Sequence, residues 1–222
     1  MTSGYYDYDA YVEELLPHFG EHQNVLELGV GTGLVCEKLL AAGPGELRLT
    51  GIDHTESMLA QARARLGDRV RLLRQDILNM DAPAGFDVAF SVGGVWLCVR
   101  DQDGIGLSSH LVEDEDNIRA LENLAAVLQP GGSLLLAVQA AHRPYRRPLS
   151  GDLTYAQDLH DEGNGRFTKD YFVLREDTVV AHQRSRYRVF PMEQADRMLD
   201  RCGFGLTSDG GADGLFRHYT RR

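Results

Sequence analysis

The sequence predicts an α/β fold in which a doubly wound, mostly parallel sheet carries helices on both faces. Short apolar runs of strand length alternate with amphipathic helical segments up to residue 140, which is typical of a parallel sheet covered on both sides. A glycine cluster also follows the first run directly, where open sheets of this kind bind ligands. The 222 residues, 43% of them hydrophobic, suffice for one domain with a full core.

The elements of the first part of the chain follow from the spacing of its apolar side chains. Five apolar runs predict strands, namely Asn24–Leu28, Leu47–Ile52, Val70–Leu73, Val88–Phe90 and Ser133–Gln139. Four segments have apolar residues at helical spacing: Tyr11, Val12, Leu15, Leu16 and Phe19; Leu34–Leu40; Met58, Leu59, Ala62 and Leu66; and Ile118, Leu121, Leu124, Ala125 and Leu128. Pro130-Gly131-Gly132 ends the last of these helices.

The pattern changes after residue 139. Ala140–Gly165 is polar and rich in turn-forming residues. Earlier in the chain, Arg100–Val112 is also predicted to be a long loop. Two strands, one helix and a last strand follow, at Tyr171–Leu174, Val179–Phe190, Met192–Arg201 and Leu215–Thr220. We expect a small antiparallel elaboration that covers the ligand crevice.

Charge and cysteine usage narrow the classes of partner. The formal net charge of −10 argues against a nucleic acid or an anionic membrane. The first residues lack a signal-peptide pattern, and no apolar run approaches the ~20 residues of a membrane span. Three widely spaced cysteines without a CxxC pair argue against a disulfide framework or a metal site. These features predict a cytoplasmic protein with reduced thiols.

The glycine cluster indicates the kind of ligand. Gly29, Gly31 and Gly33 let the backbone turn sharply and approach a ligand closely. Leu34 stands where a dinucleotide motif requires glycine, and the Lys-Ser/Thr ending of a phosphate-binding loop is missing. The carboxylate of Glu27 would repel a pyrophosphate but could orient an ammonium group. The segment therefore favours a ligand with an adenosine and a cationic amino-acid tail.

Carboxylates after the next two strands support such a ligand. Asp53 ends the second strand, 20 residues after Gly33, where it can accept both hydroxyls of a ribose. Asp76 and Ile77 follow the third strand, where they can bond an adenine amine and pack against its ring.

Five ordered motifs resemble those of the class I S-adenosylmethionine-dependent methyltransferases over about residues 20–140. They are Glu27-x-Gly29-x-Gly31-x-Gly33, Asp53, Asp76-Ile77, Phe86-Asp87-Val88 and Leu128-Gln129-Pro130-Gly131-Gly132. The resemblance implies a seven-stranded Rossmann-like sheet and S-adenosylmethionine as the cofactor. It implies cofactor contacts for Tyr11, Glu27, Gly29, Gly31, Thr32, Gly33, Asp53, His54, Met58, Asp76, Ile77, Ser91 and Val92. It also divides a single domain into a cover helix (1–20), a cofactor-binding core (21–140), an acceptor cover with a hairpin (141–190), and a final helix with strands (191–222).

The rest of the chain resembles the covers of small-molecule methyltransferases from natural-product pathways, especially those acting on amino-sugar nitrogens. Tyr5-Tyr6-x-Tyr8, Phe190-Pro191-Met192-Glu193 and Cys202-Gly203-Phe204 carry this likeness. The candidate catalytic residues are His142 and Tyr6, and the candidate acceptor-binding residues are Trp96, Tyr145, Arg146 and Tyr155. Plain core packing is an equal alternative for Trp96. Arg143, Arg146 and Arg147 are candidates for binding a carboxylate-bearing acceptor.

Two charged segments have simpler interpretations. Glu113-Asp114-Glu115-Asp116 precedes a helix, whose dipole such acids complement. His182, Arg184, Arg186 and Arg188 alternate along one face of a strand, which indicates a solvated face or a homodimer contact.

The sequence thus predicts a methyltransferase acting on nitrogen or oxygen of a small molecule, without nucleic acid or membrane as partner. Two alternatives stay open: an enzyme that binds S-adenosylmethionine without methylating, such as a cyclase, and a regulatory partner without catalysis.

Overall fold

The computed structural model describes residues 7–20, 23–43, 45, 47–102 and 104–222. Its five helices are α1 (Tyr8–Leu15), α2 (Leu34–Ala42), α3 (Glu56–Leu66), α4 (Asp114–Val127) and α5 (Met192–Arg201). Its thirteen strands are β1 (Asn24–Leu28), β2 (Arg48–Asp53), β3 (Arg71–Arg74), β4 (Phe86–Ser91), β5 (Trp96–Asp101), β6 (Gly104–Ser109), β7 (Leu128–Ala140), β8 (Tyr145–Pro148), β9 (Leu153–Gly163), β10 (Arg166–Arg175), β11 (Thr178–Pro191), β12 (Phe204–Ser208) and β13 (Phe216–Arg221).

Seven strands form the central sheet in the order β3-β2-β1-β4-β7-β13-β12. The first five strands of this order pair in parallel. Strands β13 and β12 complete it in antiparallel pairing. The fold class expected from the alternating apolar runs is confirmed.

Helices cover both faces of this sheet, and each face has its own core. Leu15, Leu39 and Leu59 of α1, α2 and α3 pack on one face with Phe90. On the other face, α4 and α5 bury Leu124 and Leu199. Burial on both faces explains why the central strands are nearly continuous apolar runs.

A six-stranded antiparallel extension continues from the central sheet. β5 pairs in parallel with the carboxyl end of β7, and the order then runs β5-β6-β11-β10-β9-β8 with antiparallel pairs. The predicted antiparallel elaboration is therefore present, and it is larger than expected. The sheet has thirteen strands because this extension adds six to the predicted seven.

Two segments predicted as irregular are strands. Arg100–Val112 was predicted to be a loop, but the end of β5 and the whole of β6 fill most of it, and β6 pairs on both sides, with β5 and β11. Ala140–Gly165 contains β8 and β9, and Pro148 is tolerated in β8 because this strand lies at the edge of the sheet. Glycine, serine and proline lower strand propensity, and pairing with neighbours overrides that preference.

Among the helices of the described residues, none combines the length and the apolar character that a membrane crossing requires.

Candidate functional site

The glycine loop at the end of β1 is folded against the end of β2. The backbone N–H groups of Gly29 and Val30 both donate to the carbonyl of Ile52 at 2.9 Å. Gly29 and Gly33 have φ angles of +74° and +79°, a region that residues with a side chain rarely adopt. The loop therefore requires glycine for its own shape as well as for ligand approach.

The loop after β4 packs directly on this glycine loop. A Cβ atom on Gly29 would lie 2.7 Å from the Cα of Gly94, and a Cβ on Gly94 would lie 2.0 Å from the carbonyl oxygen of Leu28. Gly94 is a site residue that sequence reasoning missed, although the Gly93-Gly94 pair after a strand was the available signal. By contrast, a Cβ on Gly31 would meet nothing nearer than 4.0 Å. The middle of the loop is therefore open to a ligand.

Asp53 is held in place beside that opening. Its Oδ2 accepts a hydrogen bond from the N–H of Gly31 at 3.0 Å, and its Oδ1 accepts one from Thr55 at 2.8 Å. A carboxylate offers about four acceptor positions, so two remain for a pair of hydroxyl groups. His54 is well exposed, with its ring Nδ1 3.9 Å from Asp53 Oδ1.

The predicted adenine side follows β3. The exposed carboxylate of Asp76 accepts a hydrogen bond from the N–H of Leu78 at 3.0 Å and so begins a short 3-10 turn. Ile77 is buried in the core under α4, which limits its surface for an adenine ring. Met58 on α3 is exposed.

The remaining predicted cofactor residues lie at the same edge. Ser91 is fully buried at the end of β4, and its hydroxyl donates to the carbonyl of Leu28 at 3.4 Å. Val92 follows it and packs partly into the core. The carbonyl of Thr32 accepts a hydrogen bond from Arg65 at 2.9 Å. Because β1 to β4 are parallel and neighbouring, their carboxyl ends bring these residues to one edge of the sheet.

Glu27 is buried with a thiol as its partner. Only 2% of the residue is exposed, and the Sγ of Cys36 on α2 donates to its Oε2 at 2.9 Å. Burial raises the pKa of Glu27 to about 8, with a smaller contribution from nearby Asp53. Burial also raises the pKa of the Cys36 thiol well above its usual value. The sequence indicated the carboxylate but not Cys36.

Two of the aromatic residues predicted to contact the cofactor or the acceptor are buried in the core. Tyr11 on α1 donates its hydroxyl to the carbonyl of Val138 at 2.9 Å and packs edge-to-face on Phe216. Trp96 is 1% exposed, and its indole N–H donates to Asn117 Oδ1 at 2.8 Å. The core alternative describes Trp96, since a side chain buried in this way does not line an acceptor pocket. Tyr6 lies outside the described residues.

His142 lies just after β7 in a buried position. Both of its ring nitrogens are buried without a hydrogen-bond partner, and its ring meets Tyr187 edge-on at 5.6 Å. The pKa of His142 is lowered to about 4, chiefly by burial and to a smaller extent by the nearby charges of Lys169 and His110. At neutral pH it is an uncharged imidazole with a free acceptor nitrogen.

Of the predicted acceptor-binding residues on β8 and β9, the two tyrosines lie close together and the arginine does not. The rings of Tyr145 and Tyr155 are 5.5 Å apart. Arg146 alternates with Tyr145 along β8 and is exposed on the opposite face. It is therefore separated from the two tyrosines.

The charged segments pair with each other. Glu113 accepts two hydrogen bonds from Arg166, and Asp114 accepts one from Arg188 at 2.6 Å. The acids at the start of α4 thus hold the antiparallel extension as well as complementing the helix dipole. Within the described ranges, no group of three His, Cys, Asp or Glu side chains is suited to a metal ion.

Comparison with known proteins finds similarity to methyltransferases. Residues 25–132 match the family model described as a methyltransferase domain. YqeM of Bacillus subtilis, which carries a provisional methyltransferase name, is 27% identical over 93% of this chain and 82% of its own length. The chain spans about half the length of other curated Bacillus relatives that are named methyltransferases.

Solved structures share the fold. The S-adenosylmethionine-bound amino pentose methyltransferase CalS10 of Micromonospora echinaspora superposes with a TM-score of 0.69 and 20% identity, over 97% of this chain and 90% of its own. The sugar N-methyltransferase KedS8 of Streptoalloteichus gives 0.70 and 18%, over 96% and 84%.

The matched family model spans the strands that carry the glycine loop, Asp53 and Asp76, and it ends at Gly132 within β7. The methyltransferase-domain match thus covers the glycine loop and both carboxylates, and the two sugar methyltransferases share the fold of the whole chain.

Proposed function

We propose that the chain transfers the methyl group of S-adenosylmethionine to a nitrogen or oxygen of a small-molecule acceptor, in secondary metabolism. The observation that carries the proposal is the open glycine loop beside a fixed Asp53 carboxylate, at the edge where the antiparallel extension adjoins the sheet. The amino pentose and sugar N-methyltransferases that share the fold support a small polar acceptor.

The residues at this edge fit the cofactor in chemistry and order. Asp53 would accept the ribose hydroxyls, Asp76 the adenine amine, and Glu27 would balance the ammonium group of the methionine portion. The opening above Gly31 admits a ligand close to the backbone. When bound, the cofactor supplies a methyl group on a sulfonium, which is already activated for in-line displacement.

The protein's part in such a reaction is to position the two reactants and exclude water. His142 is uncharged at neutral pH and has two unpartnered ring nitrogens. One of these, Nδ1 or Nε2, would accept the proton that the acceptor nitrogen or oxygen loses. Tyr145 and Tyr155 would pack against the acceptor, while Arg146 faces away from them.

Two further features concern the whole chain. The four predicted segments would act as one domain, which the continuous thirteen-stranded sheet supports. A cytoplasmic location is supported by three free cysteines.

Calorimetry and mass spectrometry test the proposal. The demethylated cofactor should bind with micromolar affinity, and an acceptor should gain the mass of one methylene group from S-adenosylmethionine. Absence of binding by folded protein would refute the cofactor site. A rearranged or cleaved cofactor without mass gain on any acceptor would favour the cyclase type of reaction instead.

Asp53→Ala should weaken binding of the demethylated cofactor at least about tenfold, because two charge-assisted hydrogen bonds to the ribose are lost. Asp68→Ala, which removes an exposed carboxylate after α3, is the matched control and should leave the affinity unchanged. Equal affinities of the two variants would refute the ribose role.

A further inference from the structure

The side chains of strand β10 alternate between the two faces of the antiparallel extension. We call the face that carries Phe167, Lys169 and Tyr171 the inner face. Residues opposite one another in the antiparallel register share a face, so Ser185 and Tyr187 of β11 also belong to it. The outer face carries Thr168 and Asp170.

The inner face adjoins the end of the central sheet. The ring of Tyr187 lies 5.6 Å from His142, which follows β7, and 6.4 Å from His110, which follows β6. Phe167 stacks on the same tyrosine at 5.3 Å. The backbone N–H of His110 donates to the carbonyl of Val95 at 3.1 Å, and Val95 follows Gly94, which packs on the glycine loop.

Lys169 is a buried cation on this face. The residue is 4% exposed, and its ammonium lies 4.8 Å from the ring centre of Tyr171. No carboxylate pairs with it among the residues that the structure describes. Burying a charge without an opposite partner is costly, and burial lowers the pKa of Lys169 to about 8. At neutral pH the group is still mostly protonated and electrostatically unsatisfied.

The carboxylate that is next in sequence does not satisfy this charge. Asp170 is next in sequence, but it lies on the outer face, where it binds Arg184 through two hydrogen bonds of 2.9 Å and His182 at 2.6 Å. The positive charge of Lys169 also contributes to the lowered pKa of His110 and of His142, as expected for groups that face the same side of the extension. An anion from outside the chain would complete the cluster.

We propose that Lys169 binds a carboxylate of the acceptor and that the acceptor's nucleophile lies beside His142. The proposal rests on the proposed methyltransferase function and names its substrate class. One ammonium flanked by two neutral imidazoles balances a single negative charge, which favours a carboxylate over a phosphate ester. The aromatic rings of Phe167, Tyr171 and Tyr187 favour a ring in the acceptor.

Titration with simple probes tests the assignment in the complex with the demethylated cofactor. Benzoate, benzamide and phenyl phosphate supply the carboxylate, a neutral analogue and the alternative anion. Benzoate should bind the natural protein at least tenfold more tightly than benzamide, as measured by ligand-observed NMR. Lys169→Met should abolish that preference.

Arg186→Met is the matched control, because it removes one positive charge from the outer face of the adjacent strand. It should retain the preference for benzoate. Lys169→Gln provides a polar variant if the methionine variant does not fold. Equal benzoate affinity in the lysine variants and the natural protein would overturn the proposal, as would absent benzoate binding or tighter binding of phenyl phosphate.

The outcomes separate this proposal from the proposed function. If the demethylated cofactor binds and neutral amines are methylated while benzoate does not bind, only the role of Lys169 fails. If the cofactor itself does not bind, the methyltransferase site fails.

Discussion

At the scale of single residues, the protonation state of Glu27, which is buried against Cys36, determines how well a cationic ligand can bind at the glycine loop. The pKa of Glu27 is about 8 because the carboxyl group is removed from water. It is therefore mostly protonated at neutral pH in the unliganded protein. An ammonium group nearby favours the ionised form, so binding of such a ligand must release a proton.

This release predicts pH-dependent binding of the demethylated cofactor. Below pH 8 the ionised fraction of Glu27 falls, so affinity should rise by up to about tenfold per pH unit between pH 6 and pH 8. Calorimetry in buffers of different ionisation enthalpy measures the released proton directly. Glu27→Gln should bind more weakly, with a flat profile, whereas Asp68→Ala should keep the slope. A flat profile in the natural protein would contradict the prediction.

Sequence reasoning predicted the positions of those residues that directly follow a strand. Asp53 and the glycine loop were predictable because parallel strands bring their carboxyl ends to one edge. Cys36 and Lys169 were not, because nothing in a lone cysteine or lysine shows what lies across from it in the fold. Trp96 was left with two equal alternatives, because nothing in the sequence around this indole indicates the buried Asn117 that accepts its hydrogen bond.

At the scale of elements, Asn117 of α4 joins the strands that the sequence did not predict. Its Oδ1 accepts hydrogen bonds from Trp96 of β5 at 2.8 Å and from Ser109 of β6 at 2.7 Å. Its Nδ2 donates to the carbonyls of Leu111 and Glu113. The side chain is fully buried, so one amide fixes two strands and a turn against one helix.

Replacing Asn117 with Leu should destabilise the protein by about 2–4 kcal/mol, because buried partners of the amide lose their hydrogen bonds. Urea unfolding, followed by far-ultraviolet circular dichroism, measures the loss. Glu115→Leu, on the exposed side of the same helix turn, should change the free energy of unfolding by less than about 0.5 kcal/mol. A loss no larger for Asn117→Leu than for this control would show that the amide does not hold the strands.

At the scale of the whole molecule, a seven-stranded central sheet and a six-stranded extension are stabilised in different ways. The central strands are buried on both faces by five helices. The outer face of the extension instead has the buried Asp170 paired with Arg184 and His182, with His160 3.4 Å away. These partners hold the pKa of Asp170 well below its ordinary value of 3.8.

The extension should therefore loosen in acid before the central sheet does. A carboxylate with a lowered pKa stabilises the fold above its ordinary pKa and loses that contribution as the pH falls below about 4. Hydrogen exchange at pH 3 and pH 7 should show protection lost first within residues 158–184. Asp170→Asn should reproduce the loss at pH 7 while affinity for the demethylated cofactor stays unchanged. Uniform loss of protection across both sheets would contradict this order.

The alternation of Lys169 and Asp170 has a consequence for how the protein can vary. A slip of β10 by a single residue would exchange them, placing an acid against the two histidines and a lysine among the outer arginines. The sign of the charge on the inner face thus depends on the register of the strand and not on the amino-acid composition. Inserting or deleting one uncharged residue before residue 169 would therefore reverse the sign of the charge on the inner face while the net charge of the protein stays the same. Most point substitutions would change this face less.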